Sequence, residues 1–351
     1  MMRKEMMFSK FQLLLLLFAI PCFALKLTAG QDFKGKDTVV YKPWKDTVRL
    51  TKAQVFDLNQ SESMLFYKPR PFEFIKNVPS DFAKFGKVVV AKKNLGTLGL
   101  LLGSTAFLVA FDQPLLDGAQ QFGRFIHLDP ERKFHRAIAF NVGNVSVPIL
   151  DLPQNLNSVF YFIGEGWPSI LTAASFYGYG IMKNDYRARQ TSSQLAEMFF
   201  TLAVTTQVLK RMTGRQSPFN STTPGGAWHP FTNLGTYQQN VSNYDAFPSG
   251  HLATIMATVT ILSGNYPDNR LIKPIGYSIM GILGYAMMNN GVHWAGDYPV
   301  AIAIGYTCGK IALSRGQKTI HKKSIATGYK SSIMPLFLGN NGYGLSYRLT
   351  F

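Results

Sequence analysis

Leu95 to Phe111 is a run of 17 residues without one charged side chain, and it is the first of several. Leu152 to Met182 contains only Glu165, and Thr191 to Leu209 only Glu197. His251 to Pro267, Pro274 to Ala295 and Tyr298 to Gly309 contain no Lys, Arg, Asp or Glu. Such runs must be buried, either in a protein core or in a bilayer, and they imply about six apolar helices within roughly 220 residues. The fold class expected is therefore all-α. Only 16% of the chain is charged, against about a quarter in ordinary soluble domains. Intrinsic disorder is excluded, because the chain has ample apolar surface to bury. Two cysteines exclude a disulfide scaffold and a multi-cysteine zinc site.

Two arrangements fit these runs: short membrane helices, or a soluble bundle with a very apolar core. Basic loops at 183–189 and 315–323 agree on one side of a membrane if three spans separate residue 210 from residue 314. Lys84 to Lys93 agrees only if a further short span lies within Ala137 to Leu150. Gly99 with Gly103, and Gly305 with Gly309, have the four-residue spacing that lets helices approach closely.

The ends differ from the middle. Arg3, Lys4 and Lys10 precede an apolar stretch from Phe11 to Leu25, with small residues at Ala29 and Gly30. This reads as an export signal over residues 1–30, cleaved before Gln31. It places the chain outside the cytoplasm and argues against nucleic acid as a partner. Residues 31–93 then form an exported extension of short strands or loops, 94–315 the helical core, and 316–351 a basic tail. In that tail Tyr343, Leu345, Tyr347, Leu349 and Phe351 alternate with smaller or polar residues, and Asn340-Asn341-Gly342 is a turn signal. A small β-hairpin with Ile333 to Leu338 is expected. The net charge of +17 points to an anionic partner such as a membrane surface or a phosphorylated substrate.

Three segments carry chemistry. Phe247-Pro248-Ser249-Gly250-His251 breaks the chain just before an apolar helix, so Ser249, Gly250 and His251 fall at a helix N-terminus, where N–H groups favour an anion. In Val292-His293-Trp294-Ala295-Gly296-Asp297, a helix would put His293 and Asp297 one turn apart on one face. The carboxylate would then hold one ring nitrogen protonated and leave the other as a nucleophile. Lys210-Arg211-Met212-Thr213-Gly214-Arg215 ends an apolar helix with clustered positive charge. Pro224 to His229 offers a lid over the site or a structural turn, and Trp294 a wall or a packing residue. His127 and His135 lie in a charged stretch with Asp129, Glu131, Arg132 and Lys133 and read as solvated, as does His321.

In these segments the chain resembles the type 2 phosphatidic acid phosphatase (PAP2) family, whose fold is shared with bacterial class A acid phosphatases and vanadium haloperoxidases. The family motifs are Lys-x6-Arg-Pro, Pro-Ser-Gly-His and Ser-Arg-x5-His-x3-Asp. The chain has Lys210 and Pro218 of the first, Pro248 to His251 of the second, and His293 and Asp297 of the third. The resemblance covers residues 95–313. It implies a helical bundle in which His293 attacks phosphorus, His251 protonates the leaving oxygen and Asp297 orients His293. Lys210 and the amides of Ser249 and Gly250 would hold phosphate, with no metal or other cofactor.

Both family arginines are replaced, by Ser217 in the first motif and by Met287, after Ala286, in the third. Arg215 and Arg211 are candidates to swing into the site, and Asn289 or Asn290 to offer neutral donors. The expected protein is a membrane-embedded phosphatase acting on a phosphate monoester or diphosphate of a lipid, its active face toward the periplasm or exterior. The alternatives are a phospholipid- or phosphate-binding relative without turnover, and a soluble periplasmic acid phosphatase. A vanadate-dependent peroxidase fits least, since it too needs the depleted cations.

Overall fold

The computed structural model describes residues 36–44, 47–142, 145–321, 330–338 and 342–350. The export signal, its cleavage point and the Asn340-Asn341 turn lie outside the described residues. Strands β1 (Lys36–Trp44), β2 (Thr47–Asp57) and β3 (Glu62–Tyr67) come first. Helices α1 (Glu73–Val90), α2 (Leu95–Ala110) and α3 (Asp112–Phe125) follow, then strands β4 (Phe134–Val142) and β5 (Val145–Pro153). Next are α4 (Leu156–Ile163), α5 (Gly166–Met182), α6 (Tyr186–Thr213) and the short α7 (Leu234–Gln239). The chain continues through α8 (Gly250–Asn265), α9 (Ile272–Asn289) and α10 (Tyr298–Leu313) to β6 (Gln317–His321), β7 (Lys330–Leu338) and β8 (Gly342–Thr350).

The fold is mostly helical, as the uncharged runs imply, and α6, α8 and α10 form its centre. Leu195, Leu252, Ile261, Leu283 and Ile304 are almost wholly enclosed there. Each such side chain contributes about 1.5–3 kcal/mol by leaving water. The Gly305–Gly309 spacing acts as expected: a Cβ at Gly305 would stand 2.2 Å from the Ala253 carbonyl oxygen, so α8 and α10 meet backbone to backbone. Gly99 and Gly103 do not repeat this, since a Cβ at either would meet nothing within 4 Å. Their helix, α2, turns Leu100 and Phe107 outward instead. Among the described residues, Lys92–Ala110 is the one helical stretch long and apolar enough to cross a membrane.

Three departures from the expected all-α bundle stand out. First, β1, β2, β3 and β6 form a four-stranded antiparallel sheet. The strand after α10 pairs with β3, with His321 opposite Glu62. Phe56, Met64 and Phe66 pack on Tyr186 at the start of α6. Gln54 clamps that start, donating to the Asn184 carbonyl at 2.8 Å and accepting from the Tyr186 N–H at 2.8 Å. Second, the stretch read as a possible span, Ala137 to Leu150, is the β4–β5 hairpin. Its β-branched and aromatic residues suit strands, and Pro148 and Pro153 oppose a helix. Third, the stretch from Leu152 to Met182, with Glu165 as its one charge besides Asp151 just before it, breaks into α4 and α5 at Gly164-Glu165. The C-terminal hairpin forms as expected, with Ile333 opposite Tyr347 and Leu338 opposite Gly342.

Candidate active site

Ser249 caps α8, its Oγ accepting from the Leu252 N–H at 3.5 Å. Gly250 and His251 are then the first two residues of the helix, whose N–H groups have no intrahelical acceptor. The Ser249 N–H is not available to a phosphate, because it donates to the Asp297 carbonyl at 3.2 Å. That bond ties the second motif to the third. Of the two amides expected to hold phosphate, that of Ser249 is thus engaged, while Gly250 lies in the first turn of α8.

His293 and Asp297 do meet, but not on an α-helix. Residues Ala295–Asp297 form one 3₁₀ turn between α9 and α10. His293 Nδ1 lies 3.3 Å from Asp297 Oδ2, which also accepts from the Trp294 N–H at 2.8 Å. His293 is 2% exposed and Asp297 fully enclosed. Anchoring of Nδ1 leaves Nε2 as the free ring nitrogen. The His251 ring sits edge to face with it, centroids 5.8 Å apart. Tyr161 of α4 backs His251 at 4.4 Å. His251 Nε2 is buried and has no hydrogen-bond partner.

Arg215 goes elsewhere than expected. Its guanidinium is fully enclosed and forms two ion pairs, to Asp297 Oδ1 at 2.7 Å and to Asp112 Oδ2 at 2.5 Å. It also donates to the Gly225 carbonyl at 2.6 Å and lies between the rings of Trp228 and Trp294. It is a positioning residue for Asp297 and does not reach a phosphate. The Pro224–His229 segment is accordingly a structural turn around Arg215, since Gly225 accepts from it and Trp228 stacks on it. Trp294 packs, donating Nε1–H to the Gln216 carbonyl at 2.8 Å. Arg211 does not turn into the site either. It faces outward from α6, bonded to Gln207 Oε1 at 2.6 Å and lying over the Tyr237 ring.

Lys210 stays with the site. It is largely buried, and its Nζ is 3.5 Å from Asp245 Oδ2. The two positions that lack arginine are closed. Met287 is enclosed in the core with its sulfur 3.9 Å from Ser249 Oγ, and Ser217 is 2% exposed. Asn289 reaches Asn157 Oδ1 at 3.3 Å and the Leu128 carbonyl at 3.4 Å, so it serves packing. Asn290 accepts from the Val292 N–H at 3.2 Å through Oδ1, while its buried Nδ2 has no partner.

Sequence reasoning missed Asp112, Tyr161 and Asp245. Asp112 carried a signal, being the first charge after the uncharged run that ends at Phe111. It also accepts from the Gly296 N–H at 2.7 Å. That approach requires glycine, because a Cβ at Gly296 would stand 2.8 Å from the Asp112 carboxylate and 2.7 Å from Val109. Tyr161 and Asp245 had no local signal, since each arrives through tertiary packing.

Burial, the largest cause, holds the His251 pKa well below the usual 6.5, and the charges of His293, Lys210 and Arg132 add to it. Burial raises the Asp112 carboxyl, opposed by the charge and hydrogen bond of Arg215. Burial and then the Asp151 charge push Glu165, beside Tyr161, up to about 7. Among the described residues, no group of three or more His, Cys, Asp or Glu side chains is placed to hold a metal ion.

No curated protein and no solved structure matches the chain. The model of the PAP2 superfamily does match, over residues 192–320. That segment contains Lys210, the Pro-Ser-Gly-His turn and the His293–Asp297 pair, and superfamily membership implies phosphatase-type activity. Motif spacing, the meeting of the two histidines and the family match agree, and residues 192–320 form a PAP2-superfamily segment.

Proposed function

We propose that the chain is a phosphatase that removes phosphate from a lipid phosphate monoester or diphosphate through a phosphohistidine, with its site on the exported side of a membrane. The observation that carries the chemistry is the pair of facing histidines: His293 fixed through Nδ1 by Asp297, and His251 with an unpartnered Nε2. His293 Nε2 attacks phosphorus while the bond to the leaving oxygen breaks and His251 donates its proton to that oxygen. Water then attacks the phosphohistidine, His251 takes a proton from it, and inorganic phosphate leaves. Lys210 and the N-terminal amides of α8 offset the developing charge.

His251 must be protonated for the first step, although burial and the nearby positive charge disfavour its proton in the free protein. A phosphate dianion between the two histidines reverses that local field, so substrate binding and protonation of His251 are coupled.

Lipid substrates are supported by the outward apolar side chains. Leu100, Phe107, Phe125 and Met182 are each more than half exposed, over helices α2, α3 and α5. Apolar surface on this scale suits acyl chains better than water. A phosphate-binding relative without turnover is the second reading. It is favoured by the closed arginine positions and by the use of the Ser249 N–H on Asp297.

The test is phosphate release by detergent-purified protein from a panel of lipid and soluble phosphates, beside His293→Ala. Release is expected to fall at least about 10³-fold in the variant, with acid-labile phosphate trapped on the wild type alone. Equal release from both proteins overturns the histidine mechanism. Tight phosphate binding with no release establishes the second reading.

A further inference from the structure

We propose that Arg132, outside all three motifs and outside the matched segment, supplies the guanidinium that Ser217 and Met287 lack, binding phosphate at the His251 side of the site. This rests on the phosphatase reading above.

The other cations near the site are engaged or turned away. Arg215 is held by two carboxylates, Lys210 faces Asp245, and Arg211 lies outside on Tyr237. Arg132 has no ion pair to any carboxylate among the described residues. Its guanidinium carbon lies 4.3 Å from the centre of the Phe219 ring, two residues past Ser217. Two residues along the chain, the Phe134 ring lies 5.8 Å from the Tyr161 ring, which lies 4.4 Å from the His251 ring. Arg132 therefore stands between the first-motif loop and the leaving-group histidine. A cleft of about 540 Å³ opens beside Tyr161, lined by Arg132, Phe134 and Tyr161 together with the carboxylates of Glu131, Asp151 and Glu165. Burial raises the Tyr161 hydroxyl pKa and the Arg132 charge opposes that rise, while at His251 burial lowers the pKa and the Arg132 charge adds to it, so Arg132 is close enough to act on both groups.

Its backbone is held firmly. The Glu131 carbonyl accepts from Asn155 Nδ2 at 2.7 Å, and the Lys133 N–H donates to Ser158 Oγ at 2.9 Å. The Lys133 carbonyl accepts from the Gln154 N–H at 2.8 Å. A fixed backbone with a long exposed side chain is the arrangement that lets a guanidinium close on an arriving anion. The planar fork matches two phosphate oxygens, which a lysine cannot reproduce.

The experiment compares full-length wild type, Arg132→Ala and Arg132→Lys in detergent. It reads orthovanadate binding by calorimetry and phosphate release from dioleoyl phosphatidate in mixed micelles. In Arg132→Ala, kcat/KM is expected to fall about 100-fold and orthovanadate affinity to weaken in parallel, with Arg132→Lys between the two and the unfolding temperature unchanged. Values for Arg132→Ala within about twofold of wild type in both assays overturn the inference. If the wild type releases no phosphate, the phosphatase reading fails separately, and orthovanadate affinity alone decides on Arg132. If the wild type binds no orthovanadate either, the inference is overturned as well.

Discussion

The two halves of the site are built to opposite rules. On the His293 side the charged side chains are paired with one another: Asp112 to Arg215 and the Gly296 N–H, Arg215 to Asp297, and Asp297 to His293 and the Trp294 N–H. On the His251 side, among the described residues, ring nitrogen Nε2 has no partner, Lys210 makes one long ion pair, and Arg132 makes none. The first half fixes geometry before any ligand arrives. The second is incomplete without an anion. A nucleophile gains from being held still, whereas a proton donor and a phosphate cradle must change charge during the reaction, so full pairing there would oppose the chemistry.

The sharpest way to break this comparison is Arg215→Met. The substitution leaves Asp112 and Asp297 facing each other, enclosed and without a counterion. Removing one member of such a buried network costs about 3–5 kcal/mol. The variant is expected to unfold at a markedly lower temperature and to lose turnover as His293 loses its anchor. Adding Asp112→Asn should recover part of the stability, because one of the two like charges is then gone. Thermal unfolding of the single and double variants checks this. An Arg215→Met protein as stable as wild type would show that the paired half is not a structural unit.

The second test uses pH on the unpaired half. Burial holds the His251 pKa in the folded protein well below 6.5. The unfolded chain therefore binds more protons than the folded one between those two values, and stability rises with pH across that window. It is fully present above about pH 6.5 and is lost as pH falls, at up to about 1.4 kcal/mol per pH unit. His251→Gln is expected to flatten this part of the profile. Saturating orthovanadate should flatten it too, since an anion favours the charged ring. Stability profiles of wild type and His251→Gln that coincide from pH 5 to 7 would refute the assignment.

How much of this was legible in the sequence follows the same division. His293, Asp297 and His251 could be read because the chemistry fixes residue types at short spacings. The helical centre could be read because uncharged runs have few places to go. The four-stranded sheet could not, because its last strand, Gln317–His321, pairs with Glu62–Phe66 across most of the chain. Polar and basic as it is, that segment carries no period-two pattern. Tyr161, Asp245 and Arg132 share this difficulty. Each reaches the site through tertiary packing, and Arg132 sat among charges that read as a solvated surface.

The smallest expected effect concerns two arginines that the sequence could not distinguish. Arg211 and Arg215 flank Met212-Thr213-Gly214 and both read as candidate phosphate ligands. Arg211 precedes the end of α6 and follows the helix surface outward, where Tyr237 and Gln207 hold it. Arg215 follows Gly214, where the backbone turns left-handed and reverses the direction of the chain. Its side chain is thereby carried inward between Asp112 and Asp297. Arg211→Ala should change stability by no more than about 0.5 kcal/mol and leave phosphate release within about twofold of wild type. A large loss of release in Arg211→Ala would mean that this side chain does turn in when substrate binds, and that charge on the His251 side is recruited from α6 as well as from the β4–β5 end of the site.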